Sequence, residues 1–154
     1  SLWWREPEED ILPVCRELGI TFIPFSPLGR GFLSGCVTSI DALDENDLRK
    51  RLPRFQNDNF SRNRALVEQL ETFAMERAAT PSQIALAWLL AKGTDIVPIP
   101  GTKRRVYLES NVAALEIGLS PSEVTQLDSL FPSDAAVGER YNEQMAQWID
   151  NTTA

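Results

Sequence analysis

The order of predicted elements indicates an α/β protein with parallel strand pairing. Two short, almost wholly apolar runs, 20–25 and 95–100, lie among segments with helical periodicity. Such runs between helices are typical of parallel strands covered on both faces. A further strand stub is predicted at 1–4. Because two or three strands leave both faces and the edges of a parallel sheet uncovered, the sequence predicts an incomplete sheet that belongs to a larger one.

Composition limits the classes of protein that fit. The 154 residues are 43% hydrophobic and 24% charged with a formal net charge of −7, which is ordinary for one globular domain. The acidic balance predicts no nucleic-acid partner. Since the chain has no His, Ser-His-Asp triads, Cys-His dyads and His-ligated metals are excluded. No apolar run approaches the roughly 20 residues of a membrane span, so no membrane association is predicted.

The cysteines and the first residues indicate where in the cell the protein is expected and whether the sequence is part of a longer one. Cys15 and Cys36 are too few for a disulfide framework, and we expect a reduced, cytoplasmic protein. The opening residues lack the basic start and apolar stretch of a signal peptide. They also lack an initiator Met, so we expect the sequence to begin inside a longer protein.

The first predicted helix spans 7–18. Pro7 suits a first helical turn, the acidic residues after it match the positive end of the helix dipole, and Gly19 supplies a stop. Its predicted apolar face consists of Ile11, Leu12, Cys15 and Leu18. The strand at 20–25 follows, weakened at Pro24 because proline cannot donate to a ladder. A loop rich in Pro and Gly is predicted at 26–31.

The middle of the chain contains a long connection and two helices. Residues 36–60 are irregular and mixed in charge, and a connection of this length is usually functional or mobile. A helix is predicted over 61–78. Residues 80–83 form a capping box with Pro at the first helical position. The helix that they open is apolar all round, which predicts burial with Trp88 in the core.

The last third continues the pattern after the strand at 95–100. A helix is predicted to open at 101–105 and to run to about 117, and another to begin at the Ser120 capping box. The apolar residues of this second helix are Val124, Leu127 and Phe131. The polar tail is predicted to form one or two amphipathic turns bearing Tyr141, Met145 and Trp148.

Candidate chemistry lies in the loops that follow the two strands. In parallel α/β folds, ligands bind at the carboxyl ends of strands. At 26–31, Gly29 and Gly31 permit close backbone approach to a ligand and Arg30 adds a cation. A plain turn explains the same residues equally well, since Gly-x-Gly alone is a weak signal.

Three consecutive cations after the second strand are more informative. Lys103, Arg104 and Arg105 are predicted to lie in a first helical turn, where the dipole disfavours positive charge by about 0.3–1 kcal/mol per residue. The free N–H groups there, the Thr102 hydroxyl and the cations together suit a phosphate group. The alternative is that these side chains extend into solvent or pair with nearby carboxylates.

Other conspicuous residues have simpler explanations. The acidic stretch 41–47 lacks the spacing of a calcium loop, so we interpret it as solvated and predict no metal site. Trp3 and Trp4 are predicted to be one buried and one pocket-facing aromatic. The residues offer no nucleophile–base pair, and no catalytic residue is predicted.

Two stretches resemble a known family: Phe25-Ser26-Pro27-Leu28-Gly29-Arg30-Gly31-Phe32-Leu33-Ser34-Gly35 and Ile96-Val97-Pro98-Ile99-Pro100-Gly101-Thr102-Lys103-Arg104. The sequence resembles the aldo-keto reductases, in particular the branch with pyridoxal-reductase-like and auxin-induced-like members. The likeness extends through 1–8, 52–55, 80–90 and 138–141. It implies a TIM (β/α)8 barrel, of which residues 1–154 would supply the C-terminal half as a single partial domain. The strands would be the sixth (its end, 1–4), seventh (20–26) and eighth (96–100).

The resemblance also implies NADP(H) as the cofactor. Phe25 matches the aromatic that stacks on the nicotinamide ring. The loop that covers the pyrophosphate corresponds to Ser26, Pro27, Leu28, Gly29, Arg30 and Gly31. The segment that binds the adenosine 2′-phosphate corresponds to Gly101, Thr102, Lys103 and Arg104. Tyr107 and Asn111 match positions near the adenine and its phosphate, whereas Ser110 replaces the usual Glu.

The family's catalytic tetrad of Asp, Tyr, Lys and His would lie in the part of the barrel that precedes this sequence. The chain has no His, and none of its tyrosines or lysines matches a catalytic position. The main hypothesis is the C-terminal, NADPH-binding half of an aldo-keto reductase that reduces aldehydes or ketones by hydride transfer, inactive alone. Its partners would be a carbonyl substrate and the missing N-terminal half of the barrel or a second copy. The alternative is a non-catalytic nucleotide-binding or self-associating half-barrel interaction module.

Overall fold

The computed structural model describes residues 1–147, and its core forms around two helices, α2 (Asn57–Glu76) and α3 (Pro81–Ala91). The Thr80 hydroxyl accepts a hydrogen bond from the Gln83 backbone and the Gln83 side chain accepts one from the Thr80 backbone, which confirms the predicted capping box. Residues 84–89 are all buried, as the apolar sequence predicts. α2 begins four residues earlier than predicted.

Large aromatic side chains fill the space between these helices and the first half of the chain. Trp88 is 1% exposed, which confirms its predicted place in the core. The Trp3 and Phe32 rings lie with centroids 4.3 Å apart, and Phe32 meets Phe55 edge-on at 5.1 Å. Each fully buried side chain of this size contributes about 1.5–3 kcal/mol to folding. Trp3, at 4% exposed, is the buried member of the pair Trp3 and Trp4.

The first helix is shorter than predicted. A 3₁₀ turn covers Glu6–Glu8, and α1 spans Ile11–Glu17. A helix over the whole of 7–18 would need an N–H from Pro13, and proline has none to donate; α1 therefore begins where Pro13 falls in its first turn. The predicted apolar face is buried only at Leu12, at 5% exposed. Its other members are half-buried or exposed: Ile11, Cys15 and Leu18.

The two apolar runs pair in parallel, which confirms their predicted orientation. Phe22 forms a parallel bridge with Ile96, and Phe25 forms one with Ile99. The Val97 N–H donates to the Phe22 carbonyl at 2.9 Å. The two runs therefore lie side by side and end on the same edge.

The prediction of continuous strands at 20–25 and 95–100 is wrong for the described residues, which hold isolated bridges there. Pro24 has no N–H to donate to the neighbouring run, which interrupts the ladder between the two runs. Pro98, between the donors Val97 and Ile99, removes a donor on the opposite side of its run. The predicted stub at 1–4 is a turn instead, with the Trp4 N–H donating to the Ser1 carbonyl at 2.9 Å.

The rest of the described chain surrounds this arrangement. The connection is irregular as predicted over 36–56, apart from 3₁₀ turns at Leu48–Arg51 and Pro53–Phe55, but residues 57–60 already belong to α2. The predicted single helix to about 117 divides into α4 (Arg105–Val112) and a 3₁₀ turn at Ala113–Glu116.

The predicted helix after Ser120 is confirmed as α5 (Pro121–Leu130), with its capping box formed. Leu127 and Phe131 are completely buried and Val124 is half-buried. The tail forms α6 (Glu143–Ala146), where Met145 packs against the core. The predicted contribution of Trp148 lies outside the described residues. None of the helices in 1–147 combines the length and apolar character needed to cross a bilayer.

Candidate functional site

The two candidate loops leave the paired runs at the same edge. Residues 26–31 follow Phe25, and residues 101–104 come two positions after its bridge partner Ile99. Because the pairing is parallel, both loops begin at the carboxyl ends of neighbouring segments, where α/β proteins place their ligands. The structure therefore brings the two predicted site segments to one edge.

The loop 26–31 has a strained and closely packed backbone. Four of its residues have positive φ, two of them not glycine: Ser26 at 50°, Gly29 at 57°, Arg30 at 58° and Gly31 at 88°. A Cβ on Gly29 would lie 2.6 Å from a ring carbon of Trp3, so only glycine fits. Within the loop the Gly29 N–H donates to the Ser26 carbonyl at 2.9 Å and the Gly31 N–H to the Leu28 carbonyl at 3.0 Å, so these two amides are satisfied by the loop itself.

Arg30 is held in place by neighbours from two other parts of the chain. Its guanidinium donates to the Arg140 carbonyl at 3.2 Å and lies 4.9 Å from the centre of the Tyr141 ring. Arg49 donates to the Arg30 carbonyl at 3.3 Å, and its own guanidinium pairs with Asp47 at 2.7 Å. That hydrogen-bonded ion pair lowers the pKa of Asp47 to about 2.

The second loop is exposed throughout, and one sequence expectation about it is wrong. α4 begins at Arg105, so Lys103 and Arg104 precede the helix instead of lying in its first turn. Arg105 pairs with Glu109 one turn along at 2.6 Å, as the alternative to phosphate binding predicts. The Arg104 N–H donates to the Thr102 hydroxyl at 3.2 Å. Lys103 and Arg104 thus remain the two cations available to a ligand.

The other predicted contact residues flank these loops. Phe25 is 54% exposed, and the Arg140 guanidinium carbon lies 4.7 Å from its ring centre. Tyr107 is 46% exposed and packs against the Arg104 guanidinium at 5.2 Å. Asn111 is half-buried on α4. Pro27 and Leu28 complete the first loop, with Leu28 packed against the core.

A cavity of about 230 Å³ opens beside Phe25 and is lined largely by apolar side chains. Trp4 lines it, as expected for the pocket-facing tryptophan. The Lys92 ammonium, which lines it, lies 3.3 Å from the Glu8 carboxylate and 2.8 Å from that of Asp128, while Arg140 lines it without an ion pair among residues 1–147. Because these carboxylates are engaged, none of them is free to act as a general base here. Within the described chain, no group of three or more His, Cys, Asp or Glu residues is placed to hold a metal.

Two arginines of this region were not among the predicted site residues. Arg54 comes from the connection before α2, and Arg140 from the Gly138-Glu139-Arg140-Tyr141 motif. Burial lowers the pKa of Arg54 to about 10. Burial and the nearby Arg30 lower the pKa of Arg140. The motif 138–141 contributed to the family resemblance in the sequence, but no role was assigned there to Arg140.

Parallel pairing among helices, with two cationic loops at one edge, defines an α/β protein whose candidate site suits an anionic ligand. Comparison with known proteins narrows this class. The family model described as aldo/keto reductase family matches residues 1–131, and the chain belongs to that family.

Individual relatives agree with this assignment. The NADP(+) aldo-keto reductase yakc of Schizosaccharomyces pombe is 45% identical over 141 residues, which are 92% of this chain and 42% of that protein. A thermostable aldo-keto reductase solved with the inhibitor epalrestat is 34% identical, with a TM-score of 0.58 over 84% of this chain and 36% of its own.

A glycerol dehydrogenase from Gluconobacter oxydans shares the fold, with a TM-score of 0.77 at 24% identity over 86% of this chain and 41% of its own. The chain thus spans well under half the length of each of these relatives.

Proposed function

We propose that the chain is the C-terminal part of an aldo-keto reductase barrel and contributes the larger share of its NADP(H) site. Runs 20–26 and 96–100 would correspond to the seventh and eighth strands of the barrel. The observation that carries the proposal is the parallel bridge between Phe25 and Ile99, which starts both candidate loops at one edge. The NADP(+) relative at 45% identity supports the choice of cofactor.

The residues present fit such a dinucleotide. The loop 26–31 would cover the pyrophosphate, with the Arg30 guanidinium as its cation, and the half-exposed Phe25 ring offers a face to the nicotinamide. Lys103 and Arg104, with the Thr102 hydroxyl, would hold the 2′-phosphate, and Tyr107 and Asn111 would flank the adenine. The cofactor, when bound, supplies hydride for an aldehyde or ketone. What these side chains do is bind and orient it.

The acid that protonates the carbonyl oxygen would come from outside this chain. Reduction of a carbonyl needs a positioned acid near the forming alkoxide. Glu8 and Asp128, beside the cavity at Phe25, are engaged in ion pairs with Lys92, and the sequence has no His. The chain alone would therefore bind cofactor without turnover, and the acid would come from a complementary part of the barrel.

The exposed apolar surface of the chain supports the proposal that a partner covers it. Large apolar side chains of α1 and the paired runs are about half exposed: Ile11, Val14, Leu18, Ile20, Ile23, Phe25, Val97 and Ile99. Further strands of the same barrel would bury them, supplied by the complementary part that the relatives possess. A second copy of the chain is the alternative and would make a self-associating, non-catalytic module. The free cysteines Cys15 and Cys36 suit a reducing, cytoplasmic location.

Selectivity for NADPH over NADH tests the proposal. Replacing Lys103 and Arg104 by Ala should weaken NADPH binding at least tenfold and NADH binding less than threefold, because only NADPH carries the 2′-phosphate. Fluorescence titration of the purified chain measures both. The double variant Arg51→Ala/Arg62→Ala removes the same charge from exposed positions and should change neither affinity. Equal losses for the two cofactors would remove the 2′-phosphate assignment.

A further inference from the structure

A second, smaller cavity lies between the two N-terminal tryptophans and the loop 26–31. Its volume is about 30 Å³, roughly twice what one water needs. Three guanidinium side chains line it, from Arg30, Arg54 and Arg140, which we call the arginine cluster. They come from the first loop, the connection before α2 and the C-terminal segment, so the fold gathers them from three distant parts of the chain.

The arginine cluster lacks carboxylate partners. Other half-buried arginines of the chain are paired at short range, as with Arg5 and Glu8 at 2.7 Å or Arg64 and Glu71 at 2.9 Å. No ion pair within 4.0 Å involves the cluster among residues 1–147. Glu6 and Glu139 act on these guanidinium groups only from beyond ion-pair distance, so the like charges oppose folding and a bound anion would be stabilising here.

The hydrogen bonds of the cluster leave donors free. Arg54 donates to the carbonyls of Gly138 and Trp3, at 3.0 and 2.6 Å. The Arg140 guanidinium makes no hydrogen bond within the described chain and is held between the rings of Trp4 and Phe25, each 4.7 Å from its central carbon. Stacking orients a guanidinium while its N–H groups stay available in the ring plane.

The backbone that carries Arg140 is fixed. Asn63, completely buried in α2, exchanges two 2.8 Å hydrogen bonds with the Val137 backbone. Gly138 has φ of 91°, and a Cβ there would lie 3.1 Å from the Pro53 carbonyl. The position of Arg140 is therefore set by packing, so its free donors are preorganised for a ligand.

Other residues of the cavity carry further donors. Trp3 is 4% exposed, and its indole N–H has no acceptor within the described chain. The Ser26 hydroxyl lines the same cavity. A buried donor without a partner costs about 1–3 kcal/mol. A lining of unsatisfied donors and cations, with no carboxylate, selects a compact oxyanion.

We propose that this cavity is a phosphoryl-binding site in which Arg54, Arg140 and the Trp3 indole hold a phosphate group. It deepens the proposed function, since one source of such a group is the pyrophosphate of the dinucleotide; a free phosphate or a phosphorylated small molecule is the other. The site would add the guanidinium groups of Arg54 and Arg140 to that of Arg30 in the loop 26–31.

Calorimetric titration of the purified chain with inorganic pyrophosphate and inorganic phosphate, at low ionic strength, tests the site without the dinucleotide. Arg140→Gln should weaken binding at least tenfold, because it removes a charge-assisted pair of hydrogen bonds. Arg140→Lys keeps the charge and provides the test if the Gln variant does not fold; it should lose about three- to tenfold. Arg105→Gln, at a 90% exposed position, is the control and should stay within twofold.

Comparison with NADPH separates the two sources. A parallel loss of NADPH affinity in Arg140→Gln assigns the site to the dinucleotide, and an unchanged NADPH affinity assigns it to another phosphate compound. The Lys103→Ala/Arg104→Ala variant should bind pyrophosphate normally, so failure of the 2′-phosphate assignment is distinguishable from failure of this site. Equal affinity of the wild type, the Arg140 variants and Arg105→Gln for both anions, or no binding of either anion, would overturn the proposal.

Discussion

Single residues near the candidate site stabilise the fold, and their contribution to the free energy of unfolding can be measured separately from ligand binding. Asn63 is the clearest case. It is polar, completely buried in the middle of α2, and its three side-chain hydrogen bonds tie the Arg54 carbonyl and both backbone groups of Val137 to the helix. From the sequence alone, a polar residue at this position of a helix is expected to be exposed. Its role becomes visible only in the structure, where the C-terminal segment packs against it.

Asn63→Ala should lower the free energy of unfolding by about 2–4 kcal/mol, since it leaves buried backbone groups without partners. Urea denaturation of both proteins measures this. Asn59→Ala, which removes one hydrogen bond to the Pro53 carbonyl, should cost about 1 kcal/mol. Equal effects of the two substitutions would contradict the role given to Asn63.

The ion pair of Asp47 and Arg49 predicts a pH effect. The pKa of Asp47 is lowered to about 2 in the folded chain, so the pair stabilises the fold above about pH 4 and that contribution is lost as pH falls from about 4 through 2. Asp47→Asn should flatten the dependence of the urea midpoint on pH in this window. Asp134→Asn, at an exposed position, should leave this pH dependence unchanged. If the urea midpoint falls equally with pH in the wild type and in both variants, the ion pair does not stabilise the fold as described.

At the scale of elements, the helix caps account for much of the agreement between sequence and structure. Thr80 and Ser120 each begin a capping box with Pro at the first helical position, and both helices start there. A cap is a local signal that needs no knowledge of the fold, and burial of α3 follows equally directly from its all-round apolar sequence.

Thr80→Ala should therefore cost about 1 kcal/mol of stability, because the first turn of α3 loses an acceptor for its free N–H groups. Thr72 is the control: its hydroxyl also bonds to backbone, but in the exposed middle of α2. Thr72→Ala should change the unfolding free energy by less than 0.5 kcal/mol. A smaller loss at Thr80 than at Thr72 would contradict the capping account.

Predictions failed where an element depends on distant contacts. The parallel pairing of 20–25 with 95–100 follows from their composition, but the continuous ladders do not form, since Pro24 has no N–H to donate to the neighbouring run and neighbouring strands are absent from residues 1–147. The face of α1 was predicted as buried from its spacing alone. Arg54 and Arg140 were missed as site residues because they meet only through tertiary packing.

For the molecule as a whole, the uncovered apolar surface predicts association. Ile23 lies on an outer run and is 57% exposed, as is Val106 on α4. Ile23→Lys should reduce the concentration-dependent association of the purified chain, since an edge lysine opposes strand pairing, whereas Val106→Lys should have little effect. Sedimentation velocity distinguishes them; an equal response would show that association does not involve the paired runs.

The central claim is that one dinucleotide bridges the two loops at the carboxyl edge of the paired runs. Titration of the isotopically labelled chain with NADP+, followed by amide NMR, tests it most directly. Backbone amides of 26–31, other than Pro27, and of 101–104 should shift together along one saturable curve. Shifts confined to one loop, or curves with different midpoints in the two, would contradict a shared site.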